Sequence, residues 1–492
     1  MKLWKNGIFH SLDDGKIYHK MTTHQGKIVC FDEDCSHRHY DEVIDLEGAH
    51  VYPGFVDAHM HLLGYGQKLK RLSLSQYKTK DDILRALKIS FHGEPLFAEG
   101  YRECGITKDD LDHISQHVPI MLRHNDYHSV TANSYVLKQI HLEHTTGFLT
   151  EEDATRAMKT WPPYTIKQLE DILKTSLESL YQYGITGAHS DDLSYFIGFK
   201  DTLQAFENVL SRMPFRTHLL MHYDILDDYI ASKRPFLDQH DYLQLGAIKM
   251  FYDGTLSSQT AWMKTTYVAT NNHGLKIQTD EVFENMVKKC RKHGLPVAVH
   301  VIGDQGLIDV CRLLEKYPVK EGLHDRIIHA PWADDEGLSL MKKLPIAIDI
   351  QPQFLSSDLP WAYNFIKEIP PYVFPWKTYL NHGLVQAGSS DAPVEIPDPL
   401  RGMYASIYRI SDHDHKPYYL SESLTIEEAI HVYTIGANYP TYKTNRGQLK
   451  LGNIADLTIF KKDLTTLTKE EFLKPQVKMT VIDEIIVYAT ED

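Results

Sequence analysis

The chain has 492 residues, of which 42% are hydrophobic and 24% charged, a balance typical of a globular protein with a buried core. Its formal net charge of -14 argues against a nucleic-acid or anionic-membrane partner, because both attract clustered Lys and Arg. No stretch approaches the roughly 18 apolar residues of a membrane span, and no apolar signal segment stands near the N-terminus, so the sequence predicts a cytoplasmic protein.

Both ends of the chain consist of short β-prone runs separated by turn residues. These runs are 2–9, 26–31 and 42–46 near the N-terminus, and 455–460 and 480–488 near the C-terminus. We therefore expect residues 1–50 and 440–492 to form one small β-sandwich domain. The cysteines lack CxxC spacing, which indicates reduced thiols; they are Cys30, Cys35, Cys104, Cys290 and Cys311.

Between these ends, eight short apolar runs are typical of strands buried on both faces, and stretches with helical periodicity, such as 281–293 and 306–316, follow them. This alternation predicts an α/β fold, a (β/α)8 TIM barrel, over residues 51–439. The predicted strands are 51–56, 184–189, 215–221, 245–251, 295–301, 326–330, 346–350 and 384–389.

The first two predicted strands are separated by an unusually long interval, about residues 62–180. A structureless loop of that length is not expected inside a compact domain, so the interval predicts an inserted subdomain. It contains an apolar run of its own at 118–122 and a helical pattern at 166–183.

Candidate metal ligands begin at the end of the first strand. His59 and His61 are two residues apart, so in an extended strand their imidazoles point to the same side and can bind one ion. An HxH pair alone is weak evidence in a chain with 28 histidines.

Further candidates lie at the ends of other predicted strands. A histidine closing an apolar strand is commonly a packed core residue, and an aspartate after a strand is commonly a helix N-cap. Lys249 is different, because an unpaired ammonium is costly to bury in so apolar a run. Active sites of barrels lie where the C-terminal strand ends converge. Together with the HxH pair, the candidates at the other strand ends predict a metal centre. These candidates are Lys249, His300, His329 and Asp391.

These segments resemble the amidohydrolase superfamily and, within it, the amidohydrolase 3 group of YtcJ-like hydrolases. The likeness covers nearly the whole chain. It is carried by the HxH segment 51–61, the lysine segment KMFYDGTLSSQT at 249–260, HVIGD at 300–304, SDAP at 390–393 and GQLKLGNIADL at 447–457.

The resemblance implies hydrolysis of a C–N bond in a non-peptide amide, formamide or cyclic amide by a metal-activated hydroxide. It implies one or two divalent ions, with zinc as first choice and iron or manganese as alternatives. His59 and His61 would bind the first ion, and His300 and His329 the second. Lys249, carboxylated, would bridge them, and Asp391 would bind the first ion and transfer protons.

In the insertion the resemblance extends to RHNDYH at 123–128, where it implies a catalytic position for His128 over the barrel mouth. Tyr127 replaces the glycine of the family pattern and Thr131 stands where a tryptophan is usual, which indicates a reshaped pocket. Weaker substrate-binding candidates are Asp126, His222, Asp253 and Gln351.

Two other function classes remain open from the sequence. A metal-dependent esterase or lactonase would use the same ligands with a different leaving group. A non-catalytic binding protein on the same barrel would be expected to have lost ligands. We expect a small-molecule substrate, no nucleic-acid or membrane partner, and an assembly compatible with a homodimer.

Overall fold

The computed structural model describes residues 1–35, 39–125, 129–142 and 146–490. Contacts divide the chain into a larger unit, Met1–Gly66 with Leu169–Asp492, and a smaller unit, Gln67–Gln168. Within the described ranges no helix is both long enough and apolar enough to cross a membrane. The cytoplasmic location and the homodimer stay predictions.

The larger unit contains eight parallel strands, numbered here β1 to β8, each hydrogen-bonded to the next in chain order. β8 lies against β1, and helices alternate with the strands, so the predicted (β/α)8 barrel is confirmed. The eight strands are Phe55–Met60, Ile185–Ser190, Arg216–His222, Leu243–Phe251, Val297–Val301, Asp325–His329, Ile346–Ile350 and Val385–Gly388.

The first barrel strand begins later than predicted. The run 51–56 is divided, because His50–Pro53 pairs with Leu457–Phe460 outside the barrel and Phe55–Met60 pairs with β2. Gly54 stands between the two strands, where an added Cβ would lie 2.3 Å from the Thr186 hydroxyl. The chain thus changes sheets at a residue that must lack a side chain.

Helices surround the barrel and also occupy the smaller unit. Leu62–Lys70 crosses the boundary after Gly66, and Ile166–Gln182 crosses the boundary before Leu169. The smaller unit contains Lys80–Ser90, Lys108–Asp112, Ser134–Gln139 and Glu151–Met158. The others are Phe199–Leu210, Leu226–Ser232, Asp280–Lys292, Asp304–Lys316, Asp335–Met341, Pro352–Asp358, Trp376–Asn381, Pro399–Tyr408, Ile426–Tyr433, Ile435–Asn438 and Lys469–Phe472.

Strands from both chain ends join in one mixed sheet around an apolar cluster that includes Trp4, Phe9 and Ile459. The domain formed from both termini is therefore present, whereas its boundaries at 50 and 440 stay predictions. Its strands are Lys2–His10, Ile17–His24, Lys27–Phe31, Glu42–Asp45, His50–Pro53, Leu457–Phe460, Val477–Ile482 and Ile485–Ala489.

Cys30 and Cys35 form a disulfide in this sheet, so the expectation of five reduced thiols is wrong for that pair. A short 3-10 turn, Asp32–Cys35, brings their Cα atoms to 5.6 Å, within the range for a disulfide. The spacing of five residues is not a recognised disulfide signal. Among the described residues Cys104, Cys290 and Cys311 are free.

The smaller unit has its own five-stranded sheet and two apolar clusters. The predicted strand at 118–122 is observed as Ile120–His124 and the predicted helix as Ile166–Gln182. The limits of the insertion, 62–180, stay a prediction. The other strands of this sheet are Leu72–Ser73, Leu96–Tyr101, Ser129–Ala132 and Phe148–Thr150.

His218 in β3 is buried, with a single hydrogen bond between its Nδ1 and Gln244 Oε1 at 2.9 Å. Burial, assisted by the charge of Arg326, lowers the pKa of His218 to about 3. In the unfolded chain a histidine has a pKa of about 6.5. Below that pH the unfolded chain binds a proton that the folded chain does not yet bind, so acidification destabilises the fold. The unfolding free energy of the parent protein should fall as the pH drops from 7.5 to 5.5. We expect this fall to be about 1 kcal/mol smaller in His218→Asn, as measured by urea titration at both pH values. An unchanged pH dependence would contradict this assignment.

Candidate metal centre

The ligand-capable side chains of β1 face the turn after β8. His59 Nε2 and His61 Nε2 each lie 3.4 Å from Asp391 Oδ1. Two backbone hydrogen bonds hold the segments together, from Asp391 N to His59 O at 2.8 Å and from His61 N to Ala392 O at 2.7 Å. The chain fold itself therefore brings these three side chains together.

Asp57, two residues before His59, supports the same arrangement. Ser390 Oγ donates to Asp57 Oδ2 at 2.5 Å, and His59 N donates to Asp57 Oδ1 at 3.1 Å. Burial raises the pKa of Asp57 to about 7. One buried carboxyl group thus holds both the HxH strand and the residue next to Asp391.

Lys249 in β4 is buried, and its Nζ lies 3.3 Å from His59 Nε2 and 3.5 Å from Asp191 Oδ2. Asp191, directly after β2, also lies 2.8 Å from His61 Nδ1 through Oδ1. Burial alone would raise the pKa of Asp191, yet Lys249 and His61 hold it well below its usual range. Asp191 therefore supplies the partner that a buried lysine requires.

Sequence reasoning missed Asp191. The available signal was its position, since it directly follows a barrel strand as the other candidates do. Burial opposes protonation of His61, but Asp191 and Asp391 outweigh it and raise the pKa of His61 well above its ordinary value.

His329 closes β6, and its Nδ1 lies 2.7 Å from Gln351 Oε1. Gln351 Nε2 donates to Ser389 Oγ at 2.9 Å and to Asp349 O at 3.1 Å, so the amide oxygen of Gln351 faces the histidine. These bonds assign the Nδ1 proton to His329 and leave its Nε2 with a lone pair. Gln351, predicted as a substrate contact, is placed here as a neighbour that orients a candidate ligand.

His300 is the penultimate residue of β5, and its ring centroid lies 4.6 Å from that of His329. Its Nε2 donates to Gly254 O at 3.2 Å. Burial, and then the charge of Lys249, lower the pKa of His300 to about 3. Burial likewise holds the pKa values of His59 and His329 well below their ordinary range, so these rings are neutral, as metal ligation requires.

The backbone is strained at two candidate ligands. His329 has φ of 79° and Asp391 has φ of 55°, both in the left-handed region that side chains other than glycine seldom occupy. Such conformations persist where the surrounding fold imposes them, and they cluster at functional sites.

These residues fit a divalent metal ion. His59, His329 and Asp391 each offer one donor atom, and these atoms lie within 4.8 Å of one another. Within the described residues no hydrogen bond reaches the buried Asp391 Oδ1, and His59 Nε2 and His61 Nε2 each lie 3.4 Å from it, so an ion bound between these atoms would satisfy this oxygen. Neutral imidazoles with a carboxylate suit zinc, iron and manganese.

A second cluster among the described residues, in the terminal sheet, is explained by its own hydrogen bonds. His10 Nε2 lies 3.0 Å from His50 Nδ1, and Asp463 Oδ1 accepts from Tyr52 at 2.9 Å and from Thr465 N at 2.9 Å. No buried atom of these side chains lacks a partner, so the group needs no ion.

The remaining predicted residues have different positions. Asp253 is fully buried, and its carboxylate accepts the backbone N–H groups of Ile302, Gly303 and Trp262 at 2.8–2.9 Å, which organises the loops after β4 and β5. His222 ends β3, where its Nδ1 accepts from Asp224 N at 3.2 Å. Asp126, Tyr127 and His128 lie outside the described residues.

A cavity of about 180 Å³ borders His300, His329 and Asp391. The loops after β4 to β8 supply its walls. The walls are mainly apolar, formed by Leu256, Ile302, Pro331, Trp332, Phe354, Trp361 and Val394, with Thr255, Ser257, Ser357 and Asp358 as further polar lining residues.

Comparisons with known proteins agree with this architecture. The profile described as the amidohydrolase family matches residues 42–488. The chain is 34% identical over 481 residues to the amidohydrolase YtcJ of Bacillus subtilis (strain 168), covering 91% of this chain and 90% of that protein. It is 22% identical over 500 residues to an N-substituted formamide deformylase of Arthrobacter pascens, covering 91% and 90%. An uncharacterized metal-dependent hydrolase from Pyrococcus horikoshii has the same fold, with a TM-score of 0.83 at 24% identity over 95% of this chain and 99% of that one.

Proposed function

The chain belongs to the amidohydrolase family of hydrolases, and on that basis we propose that it uses a divalent metal ion to cleave a carbon–nitrogen bond in a small non-peptide amide, formamide or cyclic amide. The observation that carries the proposal is the convergence of His59, His329 and Asp391 donor atoms within 4.8 Å at one barrel mouth. The similarity to an N-substituted formamide deformylase supports the substrate class.

The first ion would be held by His59, His61, Lys249 and Asp391, after His61 has lost its Nε2 proton, and a second by His329 and His300, after the hydrogen bond from His300 to Gly254 O has broken. Zinc suits this donor set best, with iron and manganese as alternatives. When bound, such an ion polarises a carbonyl group and lowers the pKa of water towards 7.

Carboxylation of Lys249 would convert its amine and carbon dioxide into a bridging carbamate, with release of a proton. The burial of Lys249 does not require this reaction, because Asp191 lies 3.5 Å from its Nζ. The carbamate and the number of ions therefore stay predictions.

Asp391 is the proposed proton-transfer group. It would accept a proton from the attacking water and deliver it to the departing nitrogen, while the water oxygen bonds to the carbonyl carbon and the C–N bond breaks. Its Oδ1 is buried and receives no hydrogen bond from the part of the chain that the structure describes. Asp57 and Ser390 would hold the Asp391 turn in place during the reaction, and Asp191 would hold the His61 ring.

The proposal is tested by measuring metal content together with turnover of matched amide and ester substrates that share the acyl group and the departing carbon chain and differ only in the scissile bond, C–N or C–O. We expect stoichiometric ion, loss of turnover on chelation, recovery with zinc, and hydrolysis of the amide. Gently purified protein without stoichiometric ion would refute the proposal. Turnover of esters alone would favour an esterase or lactonase, and metal binding without any turnover would favour a binding protein.

Gln351→Leu is expected to weaken metal binding by about 10–100-fold, because His329 loses the acceptor that fixes its ring and its tautomer. Affinity is measured by competition with a chelator of known strength. Gln353→Leu is the control, since the Gln353 amide donates to Ile396 O at 2.7 Å instead of to a candidate ligand. Equal affinities of the two variants would show that Gln351 does not orient a ligand.

A further inference from the structure

Asp358 is a charged group in the cavity that the proposed reaction does not use. It is the last residue of the helix Pro352–Asp358 and lines the cavity that also borders His329 and Asp391. None of the lining residues, all from the described part of the chain, is Lys or Arg. The cavity is therefore acidic and apolar.

The carboxylate of Asp358 has no protein partner within the described residues. The groups that act on it are Glu395, which repels it, and His413, which attracts it. His413 is already engaged, because its Nε2 lies 2.6 Å from Ser357 O. Burial, and then Glu395, raise the pKa of Asp358 to about 7. A carboxyl group of this kind in a cleft is typical of a ligand-binding position.

The helix relates Asp358 to the metal centre. Phe354 and Asp358 are four residues apart, so they share one face of the helix, with a spacing of about 6 Å along its axis. Phe354 stacks on His329, with ring centroids 5.9 Å apart. Asp358 thus lies about one helical turn from the ring that packs on a candidate ligand.

We propose that Asp358 is a specificity-determining residue that binds a cationic nitrogen group, separated from the scissile amide by a short apolar arm. The inference rests on the proposed function, since it takes this cavity as the substrate site. Trp332, Phe354 and Trp361 provide the apolar walls, and aromatic faces also attract cations. The cation supplies the missing partner of a half-buried carboxylate, whereas an anionic group at this position would be repelled by Asp358.

The test compares three formamides on zinc-loaded protein at pH 8: N-(4-aminobutyl)formamide, its neutral analogue N-pentylformamide, and the carboxylate 5-formamidopentanoate. Both the dissociation constant, by calorimetry, and kcat/KM are measured. We expect the ammonium compound to be preferred over the neutral analogue by at least about tenfold, with the carboxylate weakest.

Asp358→Asn is expected to abolish the preference, Asp358→Glu to retain part of it, and the surface control Asp412→Asn to keep it unchanged. Asp358→Ser replaces the Asn variant if thermal unfolding shows that the latter is not folded. A parent preference below about twofold, or one that survives loss of the Asp358 charge, overturns the inference. Selective binding of the ammonium compound without turnover would support the role of Asp358 and contradict the proposed amidase activity. Turnover without a preference for the ammonium compound would support the amidase activity and contradict the role of Asp358.

Discussion

Asp391→Asn is expected to lower kcat on an amide substrate by about 10²–10⁴-fold, because the amide side chain cannot accept and return a proton. The fold should persist, since the bonds that hold this turn to β1 are made by backbone atoms, Asp391 N to His59 O and His61 N to Ala392 O. Steady-state kinetics and metal content are measured on the same samples, with Asp412→Asn as a control for the loss of one carboxylate.

The metal content of this variant separates two roles of Asp391. Loss of turnover with full metal content would assign Asp391 to proton transfer, and parallel loss of metal and turnover would assign it mainly to ligation. Turnover within about threefold of the parent would contradict both roles.

The barrel was predictable because strands buried on both faces leave apolar runs of recognisable length. The error at β1 has a physical cause: 50–53 and 55–60 are both apolar, and periodicity does not show that the chain leaves one sheet for another at Gly54. That change depends on the contact of Gly54 with Thr186, which lies far away in the sequence.

The candidate ligands were predictable because parallel strands converge at their C-terminal ends. The residues that surround and orient these ligands were not predictable. The pairing of Asp191 with Lys249 depends on the convergence at the barrel mouth of β2 and β4, which are not neighbours in the sheet. An aspartate after a strand otherwise resembles an ordinary cap. Gln351 turns toward His329 because Ser389 and Asp349 hold its amide, a choice that the local sequence does not encode.

The largest expected loss of stability comes from the ion pair between Arg326 in β6 and Asp349 in β7. Both side chains are almost fully buried, with Arg326 Nη2 2.7 Å from Asp349 Oδ2. The same Nη2 donates to Ala58 O in β1 at 2.7 Å. Asp349→Asn leaves the guanidinium buried and without its counter-charge, so we expect a loss of about 3–5 kcal/mol in the unfolding free energy of the barrel, measured in urea.

Replacing both partners by apolar residues distinguishes the effect of an unpaired buried charge from the effect of altered packing. Arg326→Met with Asp349→Leu removes both charges and is expected to recover most of the stability lost in Asp349→Asn. Glu315→Gln is the solvent-exposed control, because its pair with Lys343 at 3.7 Å is about half exposed and should contribute under about 1 kcal/mol. Equal losses in Asp349→Asn and Glu315→Gln would mean that water reaches Arg326 inside the barrel. Ala58, whose carbonyl oxygen accepts from Arg326, directly precedes His59. If Asp349→Asn loses stability and also binds metal more weakly, the buried ion pair helps to position the HxH strand.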